Sequence, residues 1–208
     1  MIRFPNLKAH LLFSFILTIS LLSYSQEDTK YEFEKRINKE DFPTQSIELL
    51  QPFLKHSKNE KYYREFDGSN YFYELKLLFK SKNLSIKFTN EGDLVDIESL
   101  YDFEELSNNI KKTIIDYLDN SYKRSKIRKT QIQYNREVED DGESEDDIEF
   151  VEDFLEKDDD LIIRYELEVE VMQKETNSAE FFEFIFNEKG ELLEKRKIIQ
   201  RDDDIILY

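Results

Sequence analysis

The chain is poor in the residues on which several protein classes depend. Its 208 residues include no cysteine, 4 glycines and 3 prolines. The lack of cysteine excludes disulfides, thiol catalysis, thiolate metal sites and a lipid-modified N-terminal cysteine. The glycines are too scattered to form the phosphate-binding motifs GxGxxG or GxxxxGK. Collagen-like and linker-like chains are excluded as well, because they need far more glycine or proline.

Aromatic residues are abundant by contrast. The chain has 17 Phe and 12 Tyr, and hydrophobic residues make up 39% of it. Disordered chains lack the aromatic and apolar side chains whose burial offsets the entropy lost on folding. The composition therefore predicts a folded protein, and the length corresponds to one or two domains of roughly 150 residues.

The N-terminus has the pattern of an export signal. Arg3 and Lys8 precede a mainly apolar stretch at 9–22, and the segment 23–25 supplies the small residues that a signal peptidase recognises. We therefore predict a signal peptide at 1–25 and an exported protein, periplasmic or secreted, that is not embedded in the membrane after cleavage. An uncleaved anchor is the alternative, but the apolar stretch is shorter than the roughly 20 residues that span a bilayer.

The formal net charge of −17 is concentrated in one segment. Residues 137–160 contain fifteen acidic residues and a single basic one. Like charges at this density repel each other, so we predict an acidic insertion at about 137–160 that forms a solvated loop, with part of it packed as a short helix. A nucleic-acid partner is not expected, since phosphate binding needs clustered Lys and Arg.

The acidic insertion partly matches a calcium-binding EF-hand loop. Glu137, Glu139 and Asp141 fall at the first, third and fifth positions of that motif and a glycine follows. The twelfth position, which must supply a bidentate carboxylate, is Ile148. The three acidic residues are the candidate metal ligands of an alternative function, that of an acidic, calcium-buffering envelope protein. No other cofactor is expected, because a zinc site would need more His or Cys.

Two segments of the chain end alike, which indicates an internal repeat. Residues 84–94 and 182–192 both alternate apolar and polar residues and then turn at a glycine, as a strand does when it enters a tight turn. A helix is predicted upstream of each hairpin, at 41–54 and at 105–118, where apolar residues recur at helical spacing.

The fold class that these elements predict is α+β. We expect two tandem repeats, each a short helix packed on one face of an antiparallel sheet of about four strands. The first repeat spans 26–94 and the second spans 95–200, which includes the acidic insertion. A C-terminal tail follows at 201–208. The other face of each sheet would stay open.

These motifs resemble the bacterial PepSY-like family, also described as β-lactamase-inhibitor-like. The resemblance rests on Asp-Phe-Pro at the helix start, 41–43, and on the F-x-x-x-G-x-L turns that begin at Phe88 and Phe186. In the second copy Ser107 replaces the proline that opens the helix. The resemblance implies exported, non-enzymatic α+β modules, some related to peptidase propeptides and to a tandem-repeat inhibitor of β-lactamase. The acidic insertion departs from the family pattern, and no family binding residue can be carried over.

The open face of the predicted sheet is the candidate binding surface. On the predicted register it carries Tyr63, Phe72, Leu78, Ile162, Arg164, Phe181 and Ile185. Exposed aromatic residues and Arg are enriched at protein interfaces. We therefore predict a protein- or peptide-binding module, with inhibition of an envelope hydrolase or peptidase as one mode of action. In the alternative interpretation these residues contact the other repeat or the acidic segment.

Catalysis is not expected, and the sequence assigns no catalytic residue. His56 is the one histidine left after signal removal, and its polar surroundings predict a surface position. No nucleophile and base stand in a recognisable frame. Glu166 and Glu168 share one face of a strand and are able to exchange protons, but in an open, solvated sheet they should keep ordinary pKa values.

Overall fold

The computed structural model describes residues 29–30, 33–136, 146–156 and 161–199. The strands are β1 (Thr29–Lys30), β2 (Phe33–Ile37), β3 (Ser57–Phe66), β4 (Tyr71–Phe79), β5 (Lys82–Thr89), β6 (Leu94–Leu100), β7 (Arg124–Asn135), β8 (Ile162–Met172), β9 (Ala179–Phe186) and β10 (Leu192–Ile198). The helices are α1 (Thr44–Leu49), α2 (Gln51–Leu54), α3 (Asn108–Ser121) and α4 (Asp147–Glu156). The predicted signal peptide at 1–25 and the tail at 201–208 lie outside the described residues.

The ten strands form one continuous sheet in the order β1-β10-β9-β8-β7-β6-β5-β4-β3-β2. Neighbouring strands are antiparallel, except that the short β1 runs parallel to β10. The prediction of two repeats, each with its own four-stranded sheet, is therefore wrong. The boundary that we predicted between 94 and 95 falls inside the β5–β6 hairpin, where Leu84 lies opposite Ser99 and Phe88 opposite Leu94. A tight hairpin keeps its two strands paired, so the sheet continues through the boundary.

The helices form two groups. The first group, α1, α2 and α4, covers the part of the sheet between β3 and β6. Phe53 of α2 and Phe150 of α4 are fully buried in the same cluster as Leu75, Ile86 and Ile97 of the sheet. Edge-to-face contacts between aromatic rings, typical of packed cores, add to this burial. No helix in the described ranges is long and apolar enough to cross a bilayer.

The second group is the single helix α3, which packs on β8 and β9. Its N-terminus is capped by the hydroxyl of Ser107, which accepts a hydrogen bond from the backbone N–H of Ile110. The helix buries Ile114 and Leu118 among apolar side chains that include Phe184. Helical spacing places these two residues on one face, as the sequence predicts.

Gly92 and Gly190 bring the β5–β6 and β9–β10 turns against the helices. Their φ angles are +97° and +80°, in the left-handed region that favours glycine. A Cβ on Gly190 would lie 3.0 Å from the backbone oxygen of Ile110, and one on Gly92 would lie 2.8 Å from Nε2 of Gln45. The two turns that look alike in the sequence therefore pack in a similar way, although both belong to one sheet.

Part of the acidic insertion is built into the core. α4 is a short helix within that segment, and its Phe150 and Val151 are buried. The carboxylate of Asp147 accepts a hydrogen bond of 2.9 Å from the backbone N–H of Leu94 and pairs with Arg136 at 2.7 Å. Segments 137–145 and 157–160 lie outside the described residues, and so do the candidate calcium ligands Glu137, Glu139 and Asp141.

Candidate functional site

The face of the sheet opposite the helices is lined mainly by charged and amide side chains. We call it the polar face. It consists of Glu34, Tyr63, Glu65, Phe72, Glu74, Lys76, Leu78, Ser85, Lys87, Asp96, Glu98, Lys129, Gln131, Gln133, Ile162, Arg164, Glu166, Glu168, Phe181, Glu183, Ile185 and Arg196. The strand period of two puts these residues on one side and the core residues on the other.

All seven residues predicted for the open sheet face lie on the polar face. They are Tyr63, Phe72, Leu78, Ile162, Arg164, Phe181 and Ile185. Six of them are half-buried, and Ile185 is buried. They do not form one cluster, since the first three lie on β3 and β4 and the other four on β8 and β9. No contact with a separate second repeat covers them, because the sheet is continuous through the described ranges.

Buried carboxylates are the most unusual feature of the polar face. Six of them are less than 9% exposed: Glu65, Glu74, Asp96, Glu98, Glu166 and Glu183. Acidic side chains are rarely buried unless they are paired. The expectation that Glu166 lies in an open, solvated sheet is wrong, because its neighbours on the adjoining strands enclose it.

Two lysines neutralise the carboxylates at the β2–β5 end of the face. The ammonium of Lys76 lies 2.5 Å from Oε1 of Glu34 and 3.1 Å from Oε2 of Glu74. The ammonium of Lys87 lies 3.1 Å from Oε2 of Glu65. Burial alone would lower the pKa of Lys76, but the charges of Glu74 and Glu34 raise it above its ordinary value. These lysines therefore stay protonated at neutral pH.

At the β6–β7 junction Asp96 and Glu98 receive amide hydrogen bonds, while the charge of Lys87, and for Glu98 also that of Lys129, acts from beyond salt-bridge distance. Nε2 of Gln131 donates to Oε2 of Glu98 at 2.6 Å, and Nε2 of Gln133 donates to Oδ2 of Asp96 at 2.9 Å. Oδ1 of Asp96 is buried and accepts no hydrogen bond from the described part of the chain. An amide donor satisfies an oxygen without cancelling its charge. The hydrogen bonds therefore fix the carboxylates of Asp96 and Glu98 in place, but their negative charge is only partly balanced.

The ionisation of these groups reflects that arrangement. Burial raises the pKa of Asp96 to about 6, with the charge of Lys87 opposing this and that of Glu166 adding to it. Burial, followed by the nearby charge of Asp96, raises the pKa of Glu98 to about 7. Burial would lower the pKa of Lys87, but Glu65 and other acids hold it well above its usual value. At neutral pH, Glu98 therefore exists in both protonation states.

A groove runs across the polar face from β2 to β8. Its volume is about 780 Å³. The charged residues of its lining are Glu34, Lys61, Glu65, Glu74, Lys76, Lys87, Glu98, Lys129, Glu166 and Glu168. The lining thus contains six glutamates and four lysines. The excess of carboxylates lies toward the β6–β8 end, where Glu98, Glu166 and Glu168 accompany Lys129. A ligand that brings positive charge to this end would offset the excess of carboxylates over lysines.

Three carboxylates at the β2–β4 end of the polar face lie close together and already have ammonium partners. Oxygen atoms of Glu34, Glu65 and Glu74 lie within 4.8 Å of one another and are able to hold a metal ion. Lys76 and Lys87, however, place their ammonium groups on these same carboxylates. A metal would have to displace both lysines, so this cluster is better explained as an ion-pair network.

Among the described residues the polar face contains no histidine. His56, exposed after the end of α2 as predicted, is not part of the face. A raised carboxylate pKa is common in structural ion-pair networks as well as in catalytic sites. Comparison with protein-family models gives no match for this chain, and comparison with curated proteins gives none either. The resemblance to PepSY-like modules therefore stays a prediction from the motifs.

The side of the sheet on which the polar-face residues lie was predictable from the sequence, but the burial of its acidic residues was not predicted. Asp96 and Glu98 alternate with apolar residues on β6, as do Gln131 and Gln133 on β7. Such alternation is equally typical of a solvated sheet face. The available signal was that several consecutive strands carry acids or amides at every second position, which predicts rows of polar side chains that cover one another.

Proposed function

We propose that this is an exported, non-enzymatic binding module whose polar face takes up an extended, basic segment of a protein or peptide. The observation that carries the proposal is the groove of about 780 Å³, in which six glutamates, four of them buried, outnumber four lysines. The export signal predicted at 1–25 puts the module in the periplasm or outside the cell. Inhibition of an envelope hydrolase or peptidase is the mode of action that the PepSY-like motifs favour.

The shape of the groove favours an extended ligand. It crosses the strands from β2 to β8, which gives it the reach that an elongated chain needs. In an extended peptide alternate side chains point the same way, so basic residues at every second position would all face the groove. Lys or Arg side chains reaching Glu98 and Glu166 would form charge-assisted hydrogen bonds in a partly desolvated site.

Aromatic side chains on the same face support binding to a polypeptide. Tyr63 and Phe72 lie beside the ammonium groups of Lys76 and Lys87, at 5.0 Å and 5.7 Å from ring centroid to nitrogen. The lysines therefore hold these half-buried rings in place, which lowers the entropy cost of using them as contacts. Tyr63 and Phe72 are therefore suited to anchor a bound polypeptide.

A direct test titrates the purified protein with a short synthetic peptide in which lysine alternates with valine. The expected result is saturable binding by isothermal titration calorimetry that weakens as salt is added. A peptide with glutamate in place of lysine serves as the matched control and should not bind. Equal binding of the two peptides, or no binding of either, would contradict the proposal.

The double variant Glu98→Gln/Glu166→Gln locates the site. Removing two carboxylates from the groove should weaken binding of the lysine peptide by roughly tenfold or more. Glu105→Gln/Asp119→Asn removes the same charge from exposed positions near and on α3 and should leave the affinity nearly unchanged. If both variants weaken binding equally, the peptide responds to net charge and not to the groove.

A further inference from the structure

The two groups of helices leave an apolar cavity between them on the face opposite the polar face. Its volume is about 370 Å³, within the roughly 300–1,000 Å³ of small-molecule sites. The lining consists of Phe79, Lys80, Lys82, Leu84, Ser99, Tyr134, Phe154, Leu155, Leu161 and Ile163. It arises because one sheet runs continuously from β5 to β8 while α3 and α4 cover different parts of it.

The interior of the cavity is lined mainly by apolar side chains. Phe79 and Leu84 are buried, and Tyr134 and Phe154 form an edge-to-face pair with ring centroids 5.0 Å apart. The hydroxyl of Ser99 contacts the carbonyl of the next residue on its own strand at 3.5 Å. A ligand body in this space would need apolar surface and no hydrogen-bonding groups.

The charged residues in the described lining of the cavity are two lysines, Lys80 and Lys82. The tight β4–β5 turn consists of Lys80 and Ser81, whose φ angles are +46° and +69°, and Lys82 follows as the first residue of β5. Such a turn favours Asn and Gly, so two other residues in left-handed conformations carry a conformational cost. Within the described ranges neither lysine forms an ion pair, although the chain has a net charge of −17.

We infer that this cavity binds a single-chain amphiphile with one anionic head group, of the fatty-acid class. The alkyl chain would lie among Phe154, Leu155 and Ile163, and the carboxylate would meet the ammonium groups of Lys80 and Lys82. Charge complementarity selects this occupant, because an apolar cavity with a cationic rim matches an apolar body with an anionic end. The site is independent of the polar face and of the function proposed for it.

Decanoate, below its micellar concentration, is the probe for the purified protein. We expect saturable binding by isothermal titration calorimetry. Shortening the acid should weaken binding about fourfold for each methylene removed, as burial of an alkyl chain requires. Decanol, which has the same chain without the charge, should bind more weakly. Failure of decanoate to bind, or equal binding of decanoate and decanol, would overturn the inference.

Two variants assign the binding to this cavity. Lys80→Gln/Lys82→Gln should weaken decanoate roughly tenfold and leave decanol unchanged. Lys112→Gln/Lys189→Gln, at exposed positions that do not line the cavity, is the matched control and should leave both ligands unaffected. An equal effect of the two double variants would overturn the assignment to the rim.

A variant that fills the cavity tests its interior. Ile163 is half-buried there, so Ile163→Phe adds volume where there is room. It should abolish binding of decanoate and decanol alike. The melting temperature shows whether the variant is folded, and Leu155→Phe on α4 gives a second way to fill the same space. Undiminished decanoate binding by either folded variant would overturn the inference.

Discussion

Gln131 on β7 donates a hydrogen bond of 2.6 Å to the carboxylate of Glu98 on β6, and both side chains are buried. The amide satisfies one oxygen of Glu98 in either protonation state, because a carboxyl group and a carboxylate both accept hydrogen bonds. The contact therefore orders the side chain without neutralising its charge, which Lys87 and Lys129 offset only in part. The proposed uptake of a basic ligand and the expected pH dependence both follow from this relationship.

The stability of the protein should decrease as the pH rises from about 5 to about 8. The pKa values of Asp96 and Glu98 are raised from 3.8 and 4.5 to about 6 and about 7, so the folded state holds more protons than the unfolded state in this range. The free energy of unfolding, measured with urea, should fall by about 4 kcal/mol and level off above the raised values. Glu98→Gln should reduce the fall, whereas Glu105→Gln should not. A stability that rises with pH would contradict the assignment.

Binding of the lysine peptide should respond to pH in the opposite sense. Above about pH 7 Asp96 and Glu98 are both mainly ionised, and the peptide keeps its charge, so affinity should increase between about pH 5.5 and 8. Calorimetric titrations across this range measure the change. Asp96→Asn/Glu98→Gln should give a weaker and flatter profile. A wild-type profile without slope would show that these two groups do not contact the ligand.

Gly190→Ala should destabilise the fold more than Gly68→Ala does. Both glycines have positive φ, which costs any other residue about 1 kcal/mol. At Gly190 the added Cβ would also press to 3.0 Å from the backbone oxygen of Ile110, which α3 holds in place, so we expect about 2 kcal/mol. Gly68 is exposed in the β3–β4 turn and provides the comparison. Chemical denaturation measures both, and equal losses would argue against tight packing of the β9–β10 turn on α3.

Truncation of Phe150 tests whether α4 is part of the core. Phe150 is completely buried, with 0% of its surface exposed, so Phe150→Ala should lower the free energy of unfolding by about 3–5 kcal/mol. Ile148 on the same helix is 63% exposed, and Ile148→Ala should cost well under 1 kcal/mol. If Phe150→Ala is as mild as Ile148→Ala, the acidic insertion is an independent appendage.

Local structure was largely predictable from the sequence. The alternation in 84–94 and 182–192, which has the strand period of two, predicted strands that enter tight turns at a glycine, and β5 and β9 end at the turns of Gly92 and Gly190. The same rule placed Tyr63, Phe72 and Arg164 on the face opposite the helices. Whether those residues bind a ligand stays a prediction.

The arrangement of strands and the burial of the acids were not predictable in the same way. Alternation fixes the side on which Leu94 lies but not that β6 extends the sheet begun by β2 to β5. Likewise, Asp96 and Glu98 occupy positions typical of a solvated face, and only their cross-strand neighbours enclose them. Both properties depend on contacts between residues far apart in the chain, which a single sequence does not specify.

The most direct measurement is a two-dimensional amide NMR titration of the isotopically labelled protein with the lysine peptide. We expect the largest shift changes in the strands around Glu98, Gln131 and Glu166, with little change in α3. They should disappear in Glu98→Gln/Glu166→Gln at the same peptide concentration. Shift changes confined to the acidic residues of 137–160 would contradict the account and transfer ligand binding to the insertion.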